Sequence, residues 1–227
     1  MMKRPLSAVD AVAALTLGIV ATLVIWELRP TWLPMAYQGV GLTYLSHVAL
    51  LAIAVLWYLA LGRFPVGRVR RIFSDGWLWP LVTITIVVVA GTLLMFGMSG
   101  GRARVGGMSD PVVLAAVLLF QGVFVGISEE ALFRGVVQTG LNATFRGTLA
   151  VGSLRIGAGT IFAALLFGAV HLLNPQPIVM SIPQALWAAL LGLIIGYGYE
   201  RTRNLWGAML AHNVSDLAFF AIVLALR

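Results

Sequence analysis

The stretch Gly126-Ile127-Ser128-Glu129-Glu130-Ala131-Leu132-Phe133-Arg134 sets two adjacent carboxylates and an arginine inside an apolar run from Pro111 to about Leu141. On a helix Glu130 and Arg134 fall at i, i+4, the spacing of an ion pair. Glu129 is turned about 100° from Glu130, because each residue of a 3.6-residue turn advances by that angle, and its carboxylate has no obvious local partner. Two other apolar runs place Phe167 one turn from His171, and His212 one turn from Asp216. Two imidazoles and a free carboxylate brought together at membrane depth have the chemistry to activate a water. Either Glu129 acts directly as base, or a metal such as Zn2+ does the work, held by His171, His212 and a carboxylate, Glu129 or Asp216. Attack on a peptide bond is the natural use of such a water.

Composition says what solvent these charges sit in. The chain is 60% hydrophobic and 10% charged, with a mean hydropathy of +0.98, values of a polytopic membrane protein rather than a soluble domain. An ionisable side chain near the centre of a bilayer helix costs roughly 2.5 to 3.5 kcal/mol, so three in one stretch need a reason. The absence of cysteine removes disulfides, thiolate ligands and cysteine nucleophiles. The net charge of +7 is read as Arg-rich membrane loops, not as a nucleic-acid surface.

The elements that must position the charges are transmembrane helices, and the expected fold is all-α. Seven apolar runs are long enough to span: Val9 to Trp26, Gly39 to Leu61, Trp77 to Met98, Pro111 to Leu141, Ile156 to Leu173, Ile178 to Tyr199 and Leu205 to Leu226. The first follows Met1-Met2-Lys3-Arg4, resembling a signal-peptide start, but is read as a retained helix. With the N-terminus in the cytoplasm, Lys3, Arg4, Arg63, Arg68, Arg70, Arg71, Arg146, Arg155, Arg201 and Arg203 fall on the cytoplasmic side, against Arg29, Arg102, Arg104 and Arg227 opposite. Ten cations against four orient a multi-pass protein, most simply in the plasma membrane. Ser99 to Gly107 reads as a Gly-rich external loop, and Gly192 and Gly196 are spaced for close helix packing. By rise per residue, Glu129 lies about 20 Å above the cytoplasmic end of its helix and His171 about 21 Å above that of the next. His212, at about 10 Å, matches less well.

The chain resembles the CPBP family of intramembrane proteases, which includes type II CAAX prenyl endopeptidases, bacteriocin-processing and self-immunity proteins, and abortive-infection-like proteins. The resemblance rests on three signatures on separate helices: EExxxR at Glu129-Glu130-Ala131-Leu132-Phe133-Arg134, FxxxH at Phe167-Gly168-Ala169-Val170-His171, and HxxxD at His212-Asn213-Val214-Ser215-Asp216. It covers about Pro111 to the C-terminus. The chain thus divides into an N-terminal part, 1–110, carrying no signature, and a catalytic core, 111–227, within one integral membrane domain. The resemblance implies that Glu129 activates water with His171 orienting or sharing it, that His212 and residue 216 face the developing oxyanion, and that Glu130 and Arg134 are support. It leaves open a metal-dependent and a metal-free glutamate mechanism. An ionised Asp216 can only accept hydrogen bonds and would repel an oxyanion, so it is expected to stay protonated, to hold His212 in one tautomer, or to ligate a metal.

Other protease and non-protease readings account for fewer of these residues. Gly97-Met98-Ser99-Gly100 matches the rhomboid GxSG motif, but that hypothesis leaves Glu129, Glu130 and His171 unexplained. No HExxH is present, and Asp216 is the only aspartate inside a span, which defeats an intramembrane aspartyl dyad. His47, beside Ser46, reads as a hydrogen-bonded bundle residue, and Phe167 as packing below His171. A membrane transporter, or a scaffold or immunity protein without turnover, would use the same polar pocket for binding. The expected partners are the lipid bilayer and a peptide or lipidated protein, with the scissile bond near the cytoplasmic interface.

Overall fold

Helix α1 (Ala8–Glu27) starts at Ser7, whose hydroxyl accepts from the Asp10 amide while the Asp10 carboxylate accepts from the Ser7 amide at 2.9 Å. This capping box satisfies donors that a helix start leaves free. Asp10 also receives Arg4 at 2.6 and 2.7 Å and the Trp57 indole at 3.3 Å. The last contact ties the start of α1 to the end of α2 (Met35–Leu61). The computed structural model describes residues 4–29, 32, 35–61, 71–98, 110–173 and 178–226. Lys3, Arg63, Arg68, Arg70, Arg227 and the stretch 99–107, which holds the GxSG serine and the Gly-rich loop, lie outside the described residues.

The remaining helices are α3 (Leu78–Met98), α4 (Pro111–Thr144), α5 (Ala158–Val170, continued by a 3-10 turn over His171–Leu173), α6 (Ile178–Thr202) and α7 (Leu205–Ala225). Among the described residues five helices have the length and apolarity to cross a membrane, with two shorter apolar helices over Leu78–Leu94 and Ala158–Leu173. The protein is an all-α integral membrane protein. Asp110 caps α4 by accepting from the amides of Val112 and Val113, and Pro111 supplies a fixed φ where no amide donor is needed.

The fifth helix starts at Ala158 rather than at the expected Ile156, because Ile156 and Gly157 close a hairpin, β1 (Thr148–Val151) against antiparallel β2 (Leu154–Gly157). Its turn carries Gly152 at a φ of 59°, a left-handed conformation glycine adopts without strain. The hairpin base is pinned. Ala158 donates to the Gly147 carbonyl at 2.8 Å, and the Glu200 carboxylate accepts from the Gly157 amide at 3.1 Å and from the Thr160 hydroxyl at 2.6 Å.

Packing converges on α4. Gly192 and Gly196 of α6 lie against Phe167, Thr160 and Gln138, so a Cβ at either would press on a neighbour at 3.0 Å. The expected small-residue contact is therefore present, between α6 and both α4 and α5. Buried Trp77, just before α3, lies over Gly207 at the start of α7, where any side chain would collide with the indole. On the other flank, α1 meets α4 through Ala11, Val137 and Leu141.

Candidate active site

Helix α4 is not a regular α-helix. It widens into π-helical turns at Phe120–Phe124 and Ala131–Gln138, on either side of an α-helical segment, Val125–Glu130, that carries both glutamates. Each wide turn has an identifiable partner. Asn213 of α7 accepts from the Gly126 amide at 2.8 Å and donates to the Val123 carbonyl at 3.3 Å, taking up backbone groups next to the first wide turn. Tyr58 of α2 donates to the Ala131 carbonyl at 2.6 Å, and its hydroxyl fills the space where a side chain at Gly135 would lie. Side chains inserted into a helical ladder in this way are a usual cause of irregular turns, and such turns frequently mark functional sites.

The two glutamates are treated differently. Glu130 and Arg134 are 0% exposed and paired at 2.8 Å, as the i, i+4 spacing predicts. Glu130 turns its other oxygen to His212, whose Nδ1 donates at 2.7 Å. Arg134 further lies over the Phe167 ring, its Cζ 5.1 Å from the centroid. Arg134, Glu130 and His212 therefore form one buried chain that fixes the imidazole in position and leaves Nε2 for other work.

Glu129 is not partnerless. Its Oε1 lies 3.0 Å from His47 Nε2, and its Oε2 lies 3.8 Å from His212 Nε2. His47 is held from behind, because its Nδ1 donates to the Thr43 carbonyl at 2.8 Å. His212 Nε2 also faces Asp216 Oδ2 at 3.6 Å. The cluster thus sets Glu129, Glu130 and Asp216 against Arg134, so two further protons, on the imidazoles or the carboxyls, bring it to neutrality. A buried ion set that stays unbalanced is strongly penalised.

His171 stands on the other side of Phe167. Its Nδ1 donates to the Phe167 carbonyl at 2.7 Å, and its ring meets that of Phe167 edge to face at 4.9 Å. Phe167 also touches His212 at 5.9 Å between centroids, so this phenyl separates and aligns the two histidines. Glu129, His47 and His171 share the wall of a cavity of about 340 Å³ between α1, α2, α4 and α5. Its lining is otherwise largely apolar, from Gly18 and Thr22 on α1 to Phe133 and Val170 opposite.

The residues singled out in the sequence lie together: Glu129 and Glu130 reach His212, His212 faces Asp216, and His171 shares the cavity wall with Glu129, so the lower depth expected of His212 does not keep it from the glutamates. Two contributors have a larger part than the sequence assigned them, His47 having been read only as a hydrogen-bonded bundle residue. His47 comes from a helix without a signature, 82 residues from Glu129 in the chain. Asn213 was visible as part of the third motif but gave no sign that it would serve backbone groups of α4. Zinc ligation by His171, His212, Asp216 and Glu129 is not supported: among the described residues no three His, Cys, Asp or Glu side chains are placed to hold a metal. The short Glu129 contact is instead a proton-sharing one with His47.

Residues 111–218 match the type II CAAX prenyl endopeptidase Rce1-like family. The match is confined to this segment. It runs from the first residue of α4 into α7 and takes in Glu129, Glu130, Arg134, Phe167, His171, His212 and Asp216. The Rce1-like segment is just under half of the chain, and α1 to α3, with His47, fall outside it. No curated protein and no solved structure matches the chain. The family is one of proteases, and this chain is embedded in the bilayer by its own helices.

Proposed function

We propose that the protein is an intramembrane endopeptidase in which Glu129 activates the attacking water. The observation that carries this reading is the division of labour between the adjacent glutamates. Glu130 is sealed into the Arg134 and His212 pairs, whereas Glu129 lines the cavity and keeps a second oxygen, Oε2, buried without a hydrogen-bond partner and 3.8 Å from His212 Nε2. That spacing suits a water held between Glu129 Oε2 and His212 Nε2, since polar groups more than 3.5 Å apart are commonly bridged by one.

Glu129 takes a proton from this water as the oxygen attacks the scissile carbonyl carbon. His212, with Nδ1 held by Glu130, donates from Nε2 to the oxyanion as charge develops there. Asp216 keeps Nε2 protonated and directed, the role that remains for an aspartate unable to stabilise an oxyanion itself. His171, its Nδ1 proton held by the Phe167 carbonyl, offers Nε2 as an acceptor to the substrate's peptide N–H from the opposite wall. The proton on Glu129 then passes to the leaving amine as the C–N bond breaks. No step requires a metal, so chelator treatment of purified protein leaves turnover within about twofold. A chelator-sensitive activity restored by zinc would overturn that part.

The basic loops support a cytoplasmic N-terminus and a protein of the plasma membrane. Candidate substrates are a lipidated protein, a leader-bearing peptide or a membrane-anchored regulator. Comparative mass spectrometry of membrane peptides from cells carrying wild-type protein and Glu129→Gln reads this directly. Peptides present only with wild-type protein support the proposal. Identical peptide sets would favour a binding or transport role for the same pocket.

A further inference from the structure

The hairpin between α4 and α5 has two unlike faces. Side chains alternate along a strand and cross-strand partners share a face. The register, Leu149 with Ile156 and Val151 with Leu154, therefore gathers four aliphatic side chains on one side and sets Thr148, Ala150, Arg155 and Gly157 on the other. At its base the second face is turned to the protein: a Cβ at Gly157 would lie 2.9 Å from both Asn142 Oδ1 and Glu200 Oε1. The aliphatic face points away from the helices that hold the hairpin, and Leu149, Val151 and Leu154 are 53%, 56% and 46% exposed.

Continuity and charge say what covers this face. Phe145, just before β1, packs on Phe162 of α5 with ring centroids 5.3 Å apart, and Phe162 and Leu165 are themselves exposed. The apolar side of α5, which lipid must cover, is thereby joined to the hairpin. Helix α5 is also short: 13 residues and a three-residue 3-10 turn make about 25 Å, against a hydrocarbon core of roughly 30 Å. The aliphatic face of the hairpin continues its apolar surface at one end. Beside that face, Arg146 and Arg155 are exposed and form no ion pair with any described residue. Arg201 and Arg203, also exposed, follow Glu200, which holds the hairpin base.

We infer that the hairpin is an anionic-lipid anchor lying in the bilayer interface, with Leu149, Val151, Leu154 and Ile156 in the acyl boundary and Arg146 and Arg155 on phospholipid phosphates beside it. The outer edges of a two-stranded sheet carry unpaired amides and carbonyls, which hydrocarbon cannot satisfy. Strands of about 13 Å lying flat at headgroup level keep those edges hydrated while one face is buried. Four neighbouring arginines favour the phospholipids of negative charge in that leaflet over neutral ones. Because β2 runs directly into α5, the anchor sets the depth of the helix that carries Phe167 and His171. The surface and its occupant do not depend on the proposed catalysis.

The chain contains no cysteine, so Val151→Cys and Ala150→Cys place a bimane probe on the aliphatic face and on the opposite face of one strand without background. Each full-length variant is reconstituted in vesicles of phosphatidylcholine alone, or of phosphatidylcholine and phosphatidylserine at about three to one. Quenching is read from a lipid that carries a nitroxide at the top of its acyl chain. The Val151→Cys probe is expected to be quenched at least about twofold more strongly than the Ala150→Cys probe. Phosphatidylserine should raise the quenching at Val151→Cys, and substituting Arg146→Gln and Arg155→Gln together should remove that rise. Equal quenching at the two positions, or none at either, overturns the anchor. A face preference that phosphatidylserine leaves unmoved overturns its anionic-lipid character. Quenching at Val151→Cys that falls as protein density in the vesicle is raised gives the face to a second copy of the chain, and overturns the inference as well. No hydrolysis enters the measurement, so each outcome leaves the protease reading to its own test.

Discussion

Adjacent glutamates in a membrane helix are distinguished by what each is given to hold. Glu130 is satisfied on both oxygens, by Arg134 and His212, so its function is to fix an imidazole. Removing one partner of such a buried pair leaves an uncompensated charge, so Arg134→Met should lower stability by about 3 to 5 kcal/mol in detergent-solubilised unfolding. The i, i+4 half of this network was legible in the sequence because it is local. His47 was not, because periodicity along one helix says nothing of what a second helix places beside it. Its hydrogen bond to Glu129 makes it a positioning residue: His47→Gln should lower kcat on the order of 10²-fold with little change in KM, as expected when a reacting group is misplaced. A variant with unchanged kcat would reduce His47 to bundle packing, and a raised KM would assign it to substrate binding.

At the scale of elements, the spans were legible and their irregularities were not. Long apolar runs announce membrane helices because the bilayer demands them. The wide turns in α4 arise from Tyr58 and Asn213 on other helices, and the hairpin 148–157 from pairing across a glycine turn, neither of which leaves a periodic trace. Gly135 supplies the test. Its neighbour is the Tyr58 hydroxyl rather than a flexible chain end, so Gly135→Ala should cost about 1 to 3 kcal/mol through overpacking. Tyr58→Phe removes the colliding oxygen, and in the double variant the Gly135→Ala penalty should shrink by more than half in a thermodynamic cycle. Additive effects would mean that the wide turn is set by something other than this contact.

For the molecule as a whole, the signatures lie in α4, α5 and α7, yet the chamber that Glu129 and His171 face is walled by α1 and α2 as well. The family match stops at the catalytic segment, and the sequence of α1 and α2 offered apolar composition alone. What they contribute, the Ala8–Thr144 contact, the His47 contact and one wall of the cavity, depends on how they are packed against α4. Carboxylates and imidazoles were correctly read as converging, because charge in a bilayer must find charge or water. The central claim is that Glu129, and not its neighbour, is the base. The direct measurement is peptide-bond hydrolysis by reconstituted protein with a membrane-peptide substrate, comparing wild type with Glu129→Gln, each shown folded by its unfolding transition. The account predicts a loss on the order of 10² to 10⁴-fold in the variant, the range general-base catalysis supplies; hydrolysis at the wild-type rate by folded Glu129→Gln would contradict it.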